Sequence, residues 1–388
     1  TNDPSRIEQE MATVIIVGGG IAGTSLAYHL RESEHEVRVL EKDGLGAGTT
    51  GKSIGCFAWY DNYVGMEYEI TERSWEIYEP LIEDGTLSYH ENGFMKVANS
   101  AAFFDQLRES VAELRDAGIP ATVLEDEELR GLNVDPDSVG AGATFYPSIG
   151  RLDTGEIVSH FADRARENGA EIEIGTAVTD IRTENGSVTG VETDAGTYDA
   201  EILINAAGPW APVCNAMAGV DLPLKHTLAP ISVLDTAENF ELPTVIIEDG
   251  AYFTGERAAK TLAGHSPHES SDEGTWEAAR ELERPDSEQG IGIGSVDEEH
   301  RTRIAEQAHQ YVPKLADAEV SNEWCGIRCA TPDHRPVVGP TRIDGFHVLT
   351  GMSGEGITMA PGCAALLAEH LQNDGISPEL EYLSPGRF

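Results

Sequence analysis

The sequence predicts an α/β fold: a Rossmann-type dinucleotide-binding domain joined to a second domain built on a mixed sheet. Three observations carry that prediction. Thr13 to Val17 (TVIIV) is a short apolar run rich in β-branched residues, the pattern of a buried strand. GGGIAG follows at once, Thr24 to Leu30 has helical character, and Glu36 to Leu40 (EVRVL) reads as a second strand, which completes one β-α-β unit. The same character returns twice, at Glu171 to Ala207 and at Phe346 to Leu371.

Gly18, Gly20 and Gly23 form the G-x-G-x-x-G of that first turn. The first glycine permits the tight turn, the second lets backbone approach a pyrophosphate, and the third lets helix pack on strand. Ile21 and Ala22 open the helix, whose free N–H groups and partial positive charge suit phosphate. Glu41, followed by Lys42, ends the second strand where a carboxylate can accept ribose hydroxyls. Gly46 to Gly55 (GAGTTGKSIG) offers Thr49, Thr50, Lys52 and Ser53 to phosphate or a ring edge. Asn205 to Trp210 (NAAGPW) puts small residues, Ala207 and Gly208, at a strand end beside Trp210. Gly351 to Ile357 (GMSGEGI) opens a last helix through Ser353, Gly354 and Gly356, a nest of N–H groups able to stabilise negative charge.

The dinucleotide domain is therefore expected from three separated segments, 1–87, 149–218 and 321–388, with 88–148 and 219–320 forming the substrate domain. Glu171 to Ala207 reads as strand, turn, two-stranded excursion and strand. Ser100 to Ala117 reads as an amphipathic helix with Phe103, Leu107, Val111 and Leu114 on one face. His265 to Gln289 is acidic and poor in apolar residues, the composition of a solvated insertion.

Charge is the anomaly of the composition. Asp and Glu total 68 against 26 Lys and Arg, a formal −42, and only six of the cations are lysine. So anionic a surface suits molar salt, where the Debye length is about 3 Å and self-repulsion is screened. The composition resembles cytoplasmic proteins of salt-accumulating archaea, and it makes nucleic acid and anionic membranes poor partners. The polar first eleven residues show no export signal and no run is long enough to span a membrane, so a cytoplasmic protein is expected. Five cysteines without a Cys-x-x-Cys pair argue against a disulfide framework. The spacing of Cys325, Cys329 and His334 is not that of a usual zinc site, so no metal is expected.

VIIVGGGIAGTSLAYHL, VRVLEKDGLGAGTTGKS, FYPSIGRLDT, GTAVTDI, ILINAAGPWA, WCGIRCATPDHRPVVGP and LTGMSGEGITMAPG, in this order, resemble the FAD-dependent D-amino-acid oxidase superfamily, the group of glycine oxidase, sarcosine oxidase and D-amino-acid dehydrogenases. TTGKSIG, FYPSIGRLDT and the ending LSPGRF are most similar to the D-arginine dehydrogenases. The resemblance implies bound FAD. Gly18, Gly20 and Glu41 would hold its ADP half, the backbone of Val178 its adenine, Thr49, Thr50, Lys52 and Ser53 the phosphates and flavin, and Gly354, Gly356 and Ile357 the pyrimidine edge. It implies catalytic roles for Arg328, which would pair with a substrate carboxylate, and for Tyr252.

Departures from the pattern matter as well. Phe94, beside Met95, stands where D-arginine dehydrogenases carry a carboxylate for the substrate guanidinium, so a cationic side chain is not expected. A second carboxylate-binding arginine falls near Leu228 or Ala229, and an active-site histidine is Cys56. Cys325 lies one residue out of register with the flavin-linking cysteine of sarcosine oxidases, so FAD is expected to be non-covalent. Lys260 lies one place from their oxygen-promoting lysine, so oxygen is expected to be a poor acceptor. The expected activity is hydride transfer from the carbon beside nitrogen of a small amine or amino acid, followed by imine hydrolysis. The rival readings are oxidation of a 2-hydroxy acid or polyol phosphate on the same fold, and a non-catalytic subunit that keeps FAD as a structural element.

Overall fold

The structure, a computed structural model, describes residues 11–58, 65–265, 296–373 and 375–388. Of the acidic insertion only His265 is among them. Two large sheets organise the chain. The first has six strands in the order Val337–Pro340, Phe346–Thr350, Ile202–Asn205, Thr13–Val17, Glu36–Glu41 and Glu171–Ile174. All its pairings are parallel except that of Val337–Pro340. Alternation along Thr13–Val17 fixes its register. Val14 and Ile16 pack on one face with Leu26 of the Ile21–His29 helix and Leu367 of the Gly356–Asn373 helix. Ile15 and Val17 pack on the other, with Leu203, Val191 and Cys214. A one-residue slip would exchange the two faces.

The predicted excursion after Glu171–Ile174 has one strand more than expected. Val178–Glu184, Ser187–Thr193 and Gly196–Asp199 form a three-stranded antiparallel sheet before Ile202–Asn205 rejoins the parallel one. The Ala101–Asp116 helix forms as read, started by Ser100, whose hydroxyl accepts from the Phe103 N–H at 3.2 Å. Leu107 and Val111 are buried along it, while Phe103 and Leu114 are half-buried.

The second sheet has eight strands in the order Glu319–Ala330, Lys225–Asp235, Lys260–His265, Ala251–Glu256, Thr244–Ile247, Phe94–Ala98, Gly142–Tyr146 and Thr122–Val123. The expected boundary at 321 therefore cuts through a strand. Glu319–Ala330 pairs along its length with Lys225–Asp235, so residues 321–330 belong to the second sheet. No local pattern in WCGIRCA distinguishes the two partners, because pairing is non-local. One face of this sheet, with Met95, Val97, Val245 and Phe253, is covered by Ile304, Ala308 and Tyr311 of the Glu298–Tyr311 helix. The opposite face carries Ile231, Tyr252 and Leu262, packed against Ile54 of the Gly46–Gly55 loop. A small sheet of Cys56–Phe57, Gly150–Leu152 and Tyr89–His90 joins the two halves.

The turn between Ala251–Glu256 and Lys260–His265 holds Ala258 and Ala259 at φ of 60° and 58°. Left-handed backbone costs an L-residue about 1–2 kcal/mol, and hairpin turns of this kind favour Asn-Gly. Ala258→Asn combined with Ala259→Gly is expected to stabilise the protein by about 1 kcal/mol or more, seen as a higher denaturant midpoint at unchanged slope. An unchanged or lower midpoint would show that the turn is not strained.

Candidate functional site

The first sheet aims two helix N-termini at one place. Gly20 caps the Ile21–His29 helix without a side-chain bond, and no acidic residue lies in that helix's first turn. Gly356 begins the 18-residue helix, and a side chain there would lie 3.8 Å from Ile21 Cγ2. The partial positive charges of both helix ends thus converge. The glycines are required by space as well as by conformation. Gly18 has φ of +109°, and a Cβ there would stand 2.5 Å from Ala206 O. A Cβ at Gly23 would stand 2.0 Å from Gly18 O.

Glu41 closes this turn from the neighbouring strand. Its two carboxylate oxygens accept from the Gly19 N–H at 2.6 Å and from the Asp43 N–H at 2.8 Å. Each oxygen keeps acceptor capacity for a further donor. Lys42 places its ammonium 3.8 Å from the centre of the Trp210 ring, and a Cβ at Gly48 would lie 3.8 Å from Trp210 Cζ3. Ala207 and Gly208 enter the short Gly208–Trp210 turn, with Gly208 at φ of +52°. Buried Asn205 anchors that turn: its amide donates to Ala211 O and Asn215 Oδ1, and its oxygen accepts from the Ala207 N–H. Val178 begins its strand two residues after Thr176, whose N–H bonds Glu41 O at 2.9 Å.

The Gly46–Gly55 loop ties the two sheets together, and its hydroxyls have protein partners. Thr50 Oγ1 accepts from the Ile21 N–H at 3.2 Å, which caps the first helix. Thr49 donates to Ile327 O at 2.6 Å, and Trp324 Nε1 donates to Lys52 O at 3.0 Å. Ser53 serves its own turn, accepting from the Gly55 N–H. The loop thereby holds the Glu319–Ala330 strand beside the dinucleotide turn.

Arg328 lies half-buried on that strand, against the Gly351–Gly356 turn. A Cβ at Gly354, where φ of +104° favours glycine, would be 3.2 Å from both Cδ and Nε of Arg328, so glycine gives the side chain room to lie against the turn. Ser353, buried with φ of +49°, is fixed by its N–H on Cys329 O and by its hydroxyl, which accepts from the Thr331 N–H. Ile357 is held through its carbonyl, which accepts from the Tyr78 hydroxyl at 2.9 Å. The ending LSPGRF braces the same region from behind. Arg387 donates to both oxygens of Asp333 at 2.8 and 3.2 Å. Burial would raise the Asp333 pKa, but those bonds and the Arg387 charge hold it at about 2.

Tyr252 sits on the site-facing side of the second sheet, 7 % exposed, in one cluster with Ile231, Leu262, Ile54 and Trp324. Its ring occupies the space above Gly264, where a Cβ would stand 2.2 Å from the phenol oxygen. Burial pushes the phenol up to about 12, while Arg328 and Arg151 pull it down. The phenol is therefore a hydrogen-bond donor at neutral pH, not a base.

Sequence reasoning missed Arg151, Gly264, Trp324 and Lys96. Lys96 is 2 % exposed and shares a transverse row with Ile246 and Tyr252. Phe94 packs on Tyr146 on that same face, and Met95 points to the other. Strand alternation turns Cys325 away from the side of Trp324 and Arg328. Lys260 lies at the far end of its strand, bonded to Asp235 at 2.6 Å.

The joint between the sheets thus brings together a glycine turn in which added Cβ atoms would collide with backbone, two neighbouring helix N-termini and the Glu41 carboxylate. These residues fit a dinucleotide flavin. The model of the family described as FAD dependent oxidoreductase, known as DAO, matches residues 13–370. The chain belongs to this family. It is 26% identical over 391 residues to mitochondrial dimethylglycine dehydrogenase of Rattus norvegicus, covering 98% of this chain and 45% of that protein. It is 26% identical over 381 residues to mitochondrial sarcosine dehydrogenase of Homo sapiens, covering 94% and 40%. The chain spans about half the length of these curated relatives or less. Glycine oxidase of Geobacillus kaustophilus is 26% identical over 376 residues, covering 92% of each. Among solved structures, L-proline dehydrogenase from P. horikoshii superposes with a TM-score of 0.83 at 23% identity, covering 98% of both chains. No helix among the described residues is long and apolar enough to cross a membrane.

Proposed function

We propose that this chain oxidises a small amine or amino acid at the carbon bearing nitrogen, and that the imine formed is then hydrolysed by water. The observation that carries the reading is Arg328 lying against the Gly354 turn, with the Tyr252 cluster beside it. Bound FAD supplies the hydride acceptor. Gly18, Gly20, Ile21, Ala22 and Gly23 hold its pyrophosphate, with Glu41 at the ribose and Val178 at the adenine. Lys42 and Trp210 border the path beside Ala207 and Gly208. Thr49, Thr50, Lys52 and Ser53 shape the loop over the phosphates and flavin, and Ser353, Gly354, Gly356 and Ile357 form the pyrimidine edge. Arg328 grips the substrate carboxylate through two parallel bonds, which sets the α-carbon in place. Tyr252 donates its phenol hydrogen bond to the bound substrate.

The surroundings favour an uncharged side chain or N-substituent. Ile231, Leu262, Ile54 and Trp324 are apolar, Phe94 is 2 % exposed against Tyr146, and Lys96 has the wrong sign for a cationic substrate. Dimethylglycine, sarcosine and glycine, after which the relatives are named, fit that description. The orientation of Cys325 supports non-covalent FAD, and the pairing of Lys260 with Asp235 supports an acceptor other than oxygen. Anaerobic addition of D-amino, N-methyl and 2-hydroxy acids to the yellow protein tests the proposal. Bleaching by an amine-bearing compound supports it, whereas bleaching by hydroxy acids alone would replace it. Acid precipitation should leave the flavin in the supernatant; a yellow pellet would mean a covalent link.

The composition supports a halophilic, cytoplasmic origin. At −42 the folded chain repels itself once salt is diluted. Circular dichroism is expected to show loss of structure between molar and about 0.1 M salt, as the Debye length grows to about 10 Å. An unchanged melting temperature across that range would remove the halophilic reading.

A further inference from the structure

Arg151 has no part in the dinucleotide turn or the carboxylate grip, yet it is built into the joint between them. It lies on Gly150–Leu152, directly opposite Cys56 in the small sheet that continues from the Gly46–Gly55 loop. Its side chain is 11 % exposed and reaches two separate elements. Nε donates to Ile54 O at 2.7 Å, on the loop. One terminal nitrogen donates to Gly255 O at 2.9 Å and the other to Glu256 Oε2 at 2.9 Å, both on the strand that carries Tyr252. Burial would raise the Glu256 pKa, but the Arg257 N–H and the Arg151 charge hold the carboxyl below its ordinary range.

These bonds have a geometric consequence. Ile54 is the loop residue whose side chain packs in the Tyr252 cluster. Glu256 is four residues from Tyr252, so its side chain leaves the strand on the same face. A guanidinium is a rigid planar fork, and one that bonds both elements fixes their distance and their angle together. An ammonium carries the charge but not the angle. Ordinary strand pairing does not supply this link, because Ile54 lies in a loop outside the eight-stranded sheet that holds Ala251–Glu256.

We infer that Arg151, braced by Glu256, is a positioning residue that sets the phenol of Tyr252 against the flavin. The inference rests on the reading of Tyr252 as a site residue in an FAD enzyme, and it does not depend on which substrate is oxidised. The test uses the FAD-loaded protein and the visible circular dichroism of its flavin, which reports the groups placed around the ring without any substrate. Arg151→Met is expected to change that spectrum, and Tyr252→Phe to change it in the same sense. The double variant should match Tyr252→Phe alone, because Arg151 acts through the phenol. Glu256→Gln, whose single amide oxygen can still accept from Arg151 but carries no charge, should give a smaller change of the same sign. Arg151→Lys should recover thermal stability but not the spectrum. With a substrate identified as above, the limiting rate of anaerobic flavin reduction should fall about tenfold or more in Arg151→Lys, with the apparent Kd moving about threefold at most.

A visible spectrum in Arg151→Met identical to wild type, with only a lowered melting temperature, would overturn the inference and make the residue a structural bolt. Spectral changes that add fully in the double variant would overturn it too, since they would not pass through Tyr252. Failure of every amine to bleach the flavin would defeat the proposed function and leave this spectroscopic test decisive.

Discussion

Arg328→Ala is expected to keep FAD and lose activity on an amino acid by roughly thirty- to several-thousand-fold in kcat/KM, the effect of losing one buried charge-assisted pair at about 2–5 kcal/mol. The range follows from where the guanidinium lies. It rests against the Gly354 turn, half-buried, on the strand face that also carries Trp324 of the Tyr252 cluster. A pair formed there is screened by salt far less than surface charges are, so the loss should persist in molar salt. Arg328→Lys should recover only part of the activity, since an ammonium cannot reproduce the two-pronged grip. The decarboxylated amine should be a poor substrate of the wild type and nearly indifferent to the substitution. Loss of flavin from the variant would make Arg328 a cofactor or structural residue. Full activity with flavin retained would remove the carboxylate anchor and leave a simple amine as the better substrate.

What could be read from the sequence was local. TVIIV, the three glycines and Glu41 lie within thirty residues, and each follows from the geometry of one strand-turn-helix unit. Gly354 was legible as part of a turn that opens a helix. Its second purpose, room for Arg328, was not, because that neighbour lies 26 residues away on another strand. Gly264 is similar. Nothing in KTLAGH marks it, and the need for glycine arises only when register sets it opposite Tyr252. Arg151 was visible as a lone cation in FYPSIGRLDT, but its three acceptors come from two other segments. The same limit explains the boundary at 321. WCGIRCA has a strand's composition, and composition does not say which sheet it joins. Thr50 illustrates a subtler case: a hydroxyl offered to phosphate by its place in the loop caps a helix N–H in the structure.

Gly23→Ala is expected to abolish high-affinity FAD binding, lowering it about a hundredfold or more, equivalent to about 2.7 kcal/mol. The added methyl would stand 2.0 Å from Gly18 O, 3.2 Å from Gly18 C and 3.3 Å from Ile16 Cγ2. The first of these is backbone, in the very turn whose N–H groups must meet the pyrophosphate, so no rotamer relieves it. Relief requires the Ile21–His29 helix to lift off Thr13–Val17, which moves its N-terminus away from the phosphates and parts Leu26 and Ala27 from Val14 and Ile16. Overpacking of this kind also costs about 1–3 kcal/mol of stability. Gly44→Ala is the control: its Cβ would find nothing nearer than Ala47 Cβ at 4.0 Å, and its backbone lies outside the left-handed region. That variant should match wild type in both FAD affinity and melting temperature. Isothermal titration of the apoprotein with FAD in molar salt separates the outcomes. Wild-type affinity in Gly23→Ala would mean that the helix does not approach the strand as closely as this and that the cofactor is held elsewhere. Lost affinity in Gly44→Ala as well would mean that the whole segment tolerates no side chain, and the steric argument at Gly23 would lose its specificity.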